Sequence, residues 1–366
     1  MKEKIYITKY GLFASIVVTV VGVGIFSYPS ELSSIVGNDG WIVIIISGIT
    51  SYFLLYLIYI LVRENNFASF NDILNNNLGQ FLSKIVALIF VSLNIFAIAI
   101  GLRIFTEVIK MYLMQKTPTE FIIIAMIIAA TYLIRGEVDT LIKFNEIAFW
   151  IMFIPIIFII IFSLNKADFT NIFPILNHKP LDYAKAIKVS LFSFSGYQIA
   201  YFIIPLAKER IKVNNALFKS MVFITAFYTM ITLLCLAVFN VKETAKLLWP
   251  TITMIKSIDI PGSFIERWDG VAMALWVIYY FTTITNIYYF SADTIKHVFA
   301  LEDVKLSSLI IIPFIYIIAL YPGNIGEVYF LSSKVINLLQ IVNLMVIPLI
   351  LLFITVIKKR SGKYEK

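Results

Sequence analysis

The sequence predicts an all-α integral membrane protein of ten transmembrane helices, arranged as a five-plus-five inverted repeat with helices 1 and 6 interrupted. Three observations carry this expectation. The first is composition: 60% of the 366 residues are hydrophobic and only 14% are charged. A soluble domain carries about 45–50% apolar and about 25% charged residues, so this chain has too few charges to coat a globule in water. The second is a series of ten apolar runs, each close to the ~20 residues a helix needs to cross the hydrocarbon. The third is a pair of glycine- and proline-rich interruptions, in the first and sixth runs, about half the chain apart. A soluble enzyme, a nucleic-acid binder and a disordered chain are excluded. The net charge of +8 reads as Lys/Arg-rich cytoplasmic loops rather than a nucleic-acid surface.

Span 1 covers 10–35 and contains Gly22-Val23-Gly24-Ile25-Phe26-Ser27-Tyr28-Pro29. It is too long for a cleaved leader, lacks a small-residue cleavage site and is followed by nine further spans. Span 2 (41–62) is uninterrupted, so its Gly48 is expected to tolerate a larger side chain. Span 3 (84–113) carries Arg103 and Glu107 at i, i+4, which share one helix face, with Lys110 beyond. Intramembrane charges are costly unless paired or lining water. Two readings therefore stay open: a self-neutralising pair, or Glu107 lining a ligand or ion path with Arg103 as its partner. Span 4 is 119–135. Span 5 (144–164) begins beside Lys143 and Glu146, which are expected to pair at the inner edge.

Span 6 (185–206) contains Ser193-Phe194-Ser195-Gly196-Tyr197-Gln198 and then Pro205. Phe194, Tyr197 and Tyr201 are the aromatic residues expected near a ligand. Span 7 (215–240) holds the single cysteine, Cys235, read as a packing residue. One cysteine excludes an internal disulfide, and two histidines, His178 and His297, leave no metal set. Trp249, Pro250, Pro261 and Trp268 in the stretch 241–268 suit a short interfacial helix with aromatic anchors. Span 8 (269–297) places Thr282, Asn286, Tyr289 and Asp293 on one stripe, with Thr283 beside it; Asp293, Lys296 and His297 mark its cytoplasmic end. Span 9 is 306–321. Span 10 (332–357) carries Asn337, Gln340 and Asn343 every three residues, expected to face the bundle and hydrogen-bond between helices. Residues 1–366 form one membrane domain, with repeat one at about 10–164 and repeat two at about 185–357. Placing both termini in the cytoplasm puts 18 of the 30 lysines and arginines inside, in keeping with the positive-inside rule.

A continuous helix does not want two glycines and a proline within eight residues. Unwinding frees backbone N–H and C=O groups that hydrocarbon cannot satisfy, so breaks persist where a ligand, an ion or a water-filled cavity receives them. Paired interruptions in two halves of opposite topology are the sequence signature of a transporter-type binding site. The half-helix starting at Gly24, Ile25 and Phe26 offers amide donors and a positive dipole end to a carboxylate. Carbonyls from Val20 to Gly22 are offered to a cation or an ammonium group. A zwitterionic amino acid matches both. The candidate ligand-binding residues are Gly22, Val23, Gly24, Ile25 and Phe26 in span 1, Phe194, Ser195, Gly196 and Tyr197 in span 6, and Thr282 in span 8. Arg103, Glu107, Thr283 and Asn286 are candidates for an ion or water path. No catalytic constellation, cofactor motif or metal cluster is present in the sequence.

The breaks at Gly-Val-Gly-Ile-Phe and Phe-Ser-Gly-Tyr-Gln, with ten spans, resemble the amino acid–polyamine–organocation (APC) superfamily, whose fold is LeuT-like. Val-Gly-Ile-Phe-Ser-Tyr-Pro at 23–29, Lys-Phe-Asn-Glu-Ile at 143–147 and Glu-Arg-Trp-Asp at 266–269 narrow the resemblance to the B subunit of endospore germinant receptors, the spore germination permease family. The resemblance implies a ligand site near mid-membrane, residence in the spore inner membrane, and association with an A subunit and a lipoprotein C subunit. Thr282-Thr283 resembles the hydroxyl pair that joins helix 1 carbonyls around sodium in coupled members, and interhelical hydrogen bonding accounts for it equally well. The expected function is a nutrient receptor subunit that binds a small germinant and signals to its partners within membrane lipids. The alternative is a proton- or sodium-coupled secondary transporter of amino acids or polyamines.

Overall fold

The computed structural model describes residues 7–22, 24–257 and 268–360, and these form helices and short connections. The first half comprises α1 (Lys9–Val20), α2 (Gly24–Val36), α3 (Gly40–Glu64), α4 (Phe70–Tyr112), α5 (Thr119–Ile134) and α6 (Val138–Ser163). The second comprises α7 (Pro180–Ser193), α8 (Ala200–Ile203), α9 (Val213–Thr244), α10 (Pro250–Lys256), α11 (Trp268–Val298) and α12 (Val304–Leu320). It closes with α13 (Ile325–Phe330), α14 (Asn337–Ile341) and α15 (Ile347–Arg360), joined by π-helical turns at Leu331–Ile336 and Val342–Val346. α1 with α2 makes the broken span 1, and α7 with α8 makes the broken span 6.

The halves interlock through their equivalent spans. α2 lies along α7, α3 along α9 and α4 along α11. Large apolar side chains such as Phe53, Phe121, Tyr132, Phe314 and Phe353 remain exposed on the outside of the bundle. In water that surface would cost about 25 cal/mol per Å²; against lipid tails it costs nothing, which is the expected inversion for a membrane bundle. Helix starts are capped in the ordinary way: the side chains of Ser69, Asp303 and Asn324 accept from the amides of Asp72, Leu306 and Glu327.

Several expectations are corrected by packing. α4 starts fourteen residues before the apolar run suggested, because residues 70–78 form a helical segment that turns into the shaft at Gly79, whose φ of 77° suits only glycine. The stretch after α9 does not lie free at an interface: α10 is tucked into the bundle, with Trp249, Ile252 and Ile255 buried and the Thr251 hydroxyl donating to the Ile25 carbonyl at 2.9 Å. Pro261 and the string beginning at Glu266 fall partly outside the described residues. Lys143 pairs with Asp139 at 2.6 Å, while Glu146 instead accepts from the Thr8 hydroxyl at 3.1 Å. Gly48 is not a tolerant site, since a Cβ there would stand 2.0 Å from the Thr225 Oγ1 on α9.

The bend between α2 and α3 is tied to the connection that leads into α7. Asp39 is buried there and accepts from the Leu176 amide at 2.7 Å and the Tyr183 hydroxyl at 2.7 Å, with the His178 Nδ1 at 3.2 Å. Asn38 donates to the Pro174 carbonyl. Burial by itself raises the Asp39 pKa, but the hydrogen bonds from Tyr183, Leu176, His178 and Asn177 outweigh it and hold the carboxyl below its ordinary value. Burial and the Asp39 charge push the Tyr183 phenol up to about 12, so it stays a donor. The broken spans are thus clasped at this end of the bundle.

Two outcomes follow. Gly48→Ala should lower the thermal midpoint of the detergent-solubilised protein well below that of Gly270→Ala, whose Cβ meets no atom within 4 Å; adding Thr225→Ala should restore part of the loss. Asp39→Asn should cost on the order of 1–3 kcal/mol at neutral pH. A carboxyl whose folded pKa is depressed contributes fully above its unfolded pKa of about 3.9 and loses that contribution as pH falls through the folded value. The gap between wild type and Asp39→Asn in a pH series of thermal midpoints should therefore hold steady from about pH 5 to pH 9 and narrow below about pH 4.

Candidate functional site

α1 stops at Val20, and its last carbonyls find partners from three directions. Val17 O accepts from the Val21 amide at 2.9 Å. Val18 O accepts from the Thr282 hydroxyl at 2.8 Å and Thr19 O from the Thr283 hydroxyl at 3.0 Å, both on α11. Val20 O accepts from the Gly22 amide at 2.9 Å and lies 3.1 Å from the Tyr228 hydroxyl on α9. That same hydroxyl is 3.1 Å from Ser193 O, the end of α7. One tyrosine therefore bridges the two broken spans. The Val20 carbonyl, expected to face a cation or ammonium group, is already engaged inside the protein.

The second break begins after Ser193. Gly196 takes φ 117°, a conformation L side chains rarely adopt. A Cβ there would press to 3.0 Å of Thr19 O, so glycine lets the second break lie against the first. Its amide donates to Gln198 Oε1 at 2.9 Å, and Gln198 Nε2 donates to Asn94 Oδ1 on α4 at 3.3 Å. Asn343 on span 10 donates to the same Asn94 oxygen at 3.0 Å. A buried amide network thus ties the break in span 6 to α4 and span 10.

Where the breaks meet there is a cavity of about 70 Å³. Span 1 lines it with Thr19, Val20, Gly22 and Gly24, and span 6 with Ser193 and Ser195. α4 adds Ala97, Ile98 and Gly101, α11 adds Tyr280, Thr283, Ile284 and Ile287, and α14 adds Gln340. None of these side chains is ionisable near neutral pH. The space holds a few waters or a very small ligand. A groove of about 780 Å³ between α3 and α9 is far larger, but it lies on the apolar outside and its lining is almost wholly apolar.

Of the candidate residues, Gly22, Gly24, Ser195 and Thr283 line this cavity together, and Gly196 and Thr282 stand directly behind it. Phe26 instead packs against Trp276, with ring centroids 4.1 Å apart and the rings tilted by 30°. Ile25 is buried and presents its carbonyl to Thr251. Phe194 packs edge-on against Tyr228, Tyr201 against Phe70 and Phe90, and Tyr197 is buried outside the lining. Asn286 pairs with Asn145 on α6. Val23 lies outside the described residues. Arg103 and Glu107 form an ion pair of 2.8 Å on α4; Arg103 follows the lining residue Gly101 by two positions, and neither charged side chain is in the lining. Sequence reasoning missed Gly101 and Tyr280: a Cβ at Gly101 would meet the Tyr280 hydroxyl at 3.0 Å, and that hydroxyl donates to Ile98 O at 2.6 Å. Only their proximity across two helices reveals them. Among the described residues, no three of His, Cys, Asp and Glu are grouped as a metal set.

Ten spans in interlocking halves, with two broken spans closing on a central cavity, define a membrane protein of the transporter fold. Solved structures share it: a nucleobase-cation-symport-1 family transporter, MHP1, in a closed conformation with bromovinylhydantoin bound, superposes with TM-score 0.70 at 12% identity, covering 92% of this chain and 75% of that one. A Na⁺-coupled sialic acid symporter in a substrate-bound outward-open state gives TM-score 0.64 at 12% identity, covering 93% and 79%. Residues 6–328 match the spore permease family model, described as spore germination protein, and the chain belongs to that family. Spore germination protein A2 of Bacillus subtilis (strain 168) is 27% identical over 349 residues, 93% of each chain. Spore germination protein GerQB of Bacillus cereus is 27% identical over 333 residues, 89% of each. Spore germination protein GerLB of Bacillus cereus is 26% identical over 365 residues, 95% of this chain and 93% of that one. The family is one of permease-type membrane proteins and not of enzymes.

The Arg103–Glu107 pair makes its own test. Removing one partner leaves the other charge partly buried and alone, which costs more than removing both. Glu107→Leu and Arg103→Leu should each reduce the amount of inserted, monodisperse protein, and the double substitution should recover most of it; a double variant worse than either single one would show that Glu107 has a task besides neutralising Arg103.

Proposed function

We propose that this chain is the membrane subunit of a spore germinant receptor, and that it binds a small, net-neutral nutrient of amino-acid type where its two helix breaks meet. The observation that carries the reading is the convergence of both breaks on one cavity without a charged side chain. A ligand with a net charge would bring an uncompensated charge into a site of low dielectric, so a polyamine or a dicarboxylate is disfavoured and a zwitterion is favoured. The start of α2 at Gly24 turns amide donors and the positive end of a helix dipole toward a carboxylate. The transporter fold supplies the site, and the event is passed to partner subunits, an A subunit and a lipoprotein C subunit, in the spore inner membrane, with both termini on the cytoplasmic (spore core) side. Coupled transport of an amino acid uses the same architecture; nothing in the lining distinguishes a driving ion. Thr282 and Thr283 direct their hydroxyls onto helix 1 carbonyls, which supports an interhelical cap in the place where a coupling cation would need those oxygens.

Substitution at the break tests the site. A Cβ at Gly24 would stand 3.2 Å from Ser193 Oγ and fill space that the ligand needs. Each lost charge-assisted hydrogen bond costs about 1.5–3 kcal/mol, or about ten- to a hundred-fold in affinity. In spores carrying matched amounts of receptor, Gly24→Val should raise the nutrient concentration for half-maximal germination at least tenfold. Gly270→Val, in open space at the start of α11, should leave it within about twofold. Equal responses of the two variants would remove the ligand site from the helix break.

A further inference from the structure

Gln340 has a side-chain carbonyl that is unpaired among the described residues. It lies on α14, is 5% exposed, and lines the cavity between the two breaks. Its Oε1 is fully buried without a hydrogen-bond partner among the described residues. The neighbouring Asn343, one turn on, spends its amide N–H on Asn94. A buried amide left unpaired is costly, more so where no bulk water can reach it. α14 is flanked by the π-helical turns Leu331–Ile336 and Val342–Val346; each shifts the helical register by about one residue, and such turns are frequent at functional sites.

The carbonyls at the end of α1 are already engaged, and the remaining polar side chains of the lining are hydroxyls, of Thr19, Ser193, Ser195, Tyr280 and Thr283. Thr282, Thr283 and Tyr228 cover the carbonyls of Val18, Thr19 and Val20, and the Tyr280 hydroxyl is committed to Ile98 O. Gln340 is the one side-chain carbonyl in the lining. We infer that the Gln340 side chain is the residue that receives the ligand's N–H group, the ammonium of an amino acid whose carboxylate faces the α2 amides, and so sets specificity for amino compounds over simple carboxylates. The ammonium needs no protein carboxylate, because the ligand's own carboxylate neutralises it. This inference rests on the ligand site proposed above.

The test uses the full-length chain in lipid nanodiscs and calorimetric titration of glycine, L-alanine, L-serine and L-valine, each beside its deamino acid: acetate, propionate, 3-hydroxypropionate and 3-methylbutanoate. Wild type should bind at least one amino acid ten-fold or more tighter than its deamino partner. Gln340→Met, similar in length but apolar, should reduce that preference below about threefold by weakening the amino acid alone. The thermal midpoint of ligand-free Gln340→Met should equal or exceed that of wild type, because an unpaired amide is removed. A lower midpoint would make Gln340 a structural hydrogen-bonding residue and overturn the inference. Retained preference in Gln340→Met, with binding lost in Gly24→Val, would overturn it while keeping the site. No binding by any of the four amino acids, or binding unmoved by both substitutions, would defeat the site and the inference together.

Discussion

Everything in this fold depends on how two interrupted helices satisfy their free backbone inside a bilayer. Hydrocarbon offers no donor to a carbonyl, so a helix that ends mid-membrane must be capped by the protein, by water or by a ligand. At the end of α1 the protein caps Val18, Thr19 and Val20 with hydroxyls of α11 and α9, all from the other half of the chain. The first half therefore cannot complete its own break. Tyr228 extends the dependence to α7 by reaching Ser193 O, and the helix pairings α2–α7, α3–α9 and α4–α11 follow the same interlock.

The two sides of the first break differ. The carbonyl side is closed by hydroxyl groups, while Gly24 at the start of α2 borders the cavity together with Ser193, Ser195, Tyr280 and Gln340. Glycine is used in two ways here. At Gly22 it avoids Thr283, which a Cβ would approach to 2.7 Å; at Gly196 it supplies a left-handed conformation that lets one break lie on the other. Enlarging either residue would press on the capped end of α1, at Thr283 from Gly22 and at Thr19 O from Gly196.

Beyond the cavity, the polar groups form connected sets that link separate helices. Asn94 receives Gln198 and Asn343, and Asn65, Asn77 and Thr355 form a second set joining α3, α4 and α15. Span 10 contributes to both and carries two π-helical turns between α13 and α15. It is thus wired to α4 at two levels, while its Gln340 remains free to face the cavity. At the opposite face, the Asp39 clasp fixes the α2–α3 bend to the segment before α7. These contacts define what would have to be exchanged if the broken spans moved relative to their neighbours.

Sequence alone determined the membrane class, the ten spans and the two breaks, because composition, apolar run length and glycine–proline clusters are local properties. It also marked Gly22, Gly24, Ser195 and Thr283, which share the cavity, since a break must leave small or hydroxylated residues near its free ends. Tertiary structure decided the rest. Phe26, Phe194 and Tyr197 flank the breaks in sequence yet point into packing, because a helix turns successive side chains through about 100° and only neighbouring helices decide which face meets the cavity. Gly48 looked dispensable in a continuous helix, but α9 brings Thr225 against it. Gly101 and Tyr280 carry no local signal at all and become a pair only where α4 crosses α11. Period and composition report what each segment is; contacts between residues far apart in the chain are set by which surfaces the other segments leave open, and no local pattern encodes that.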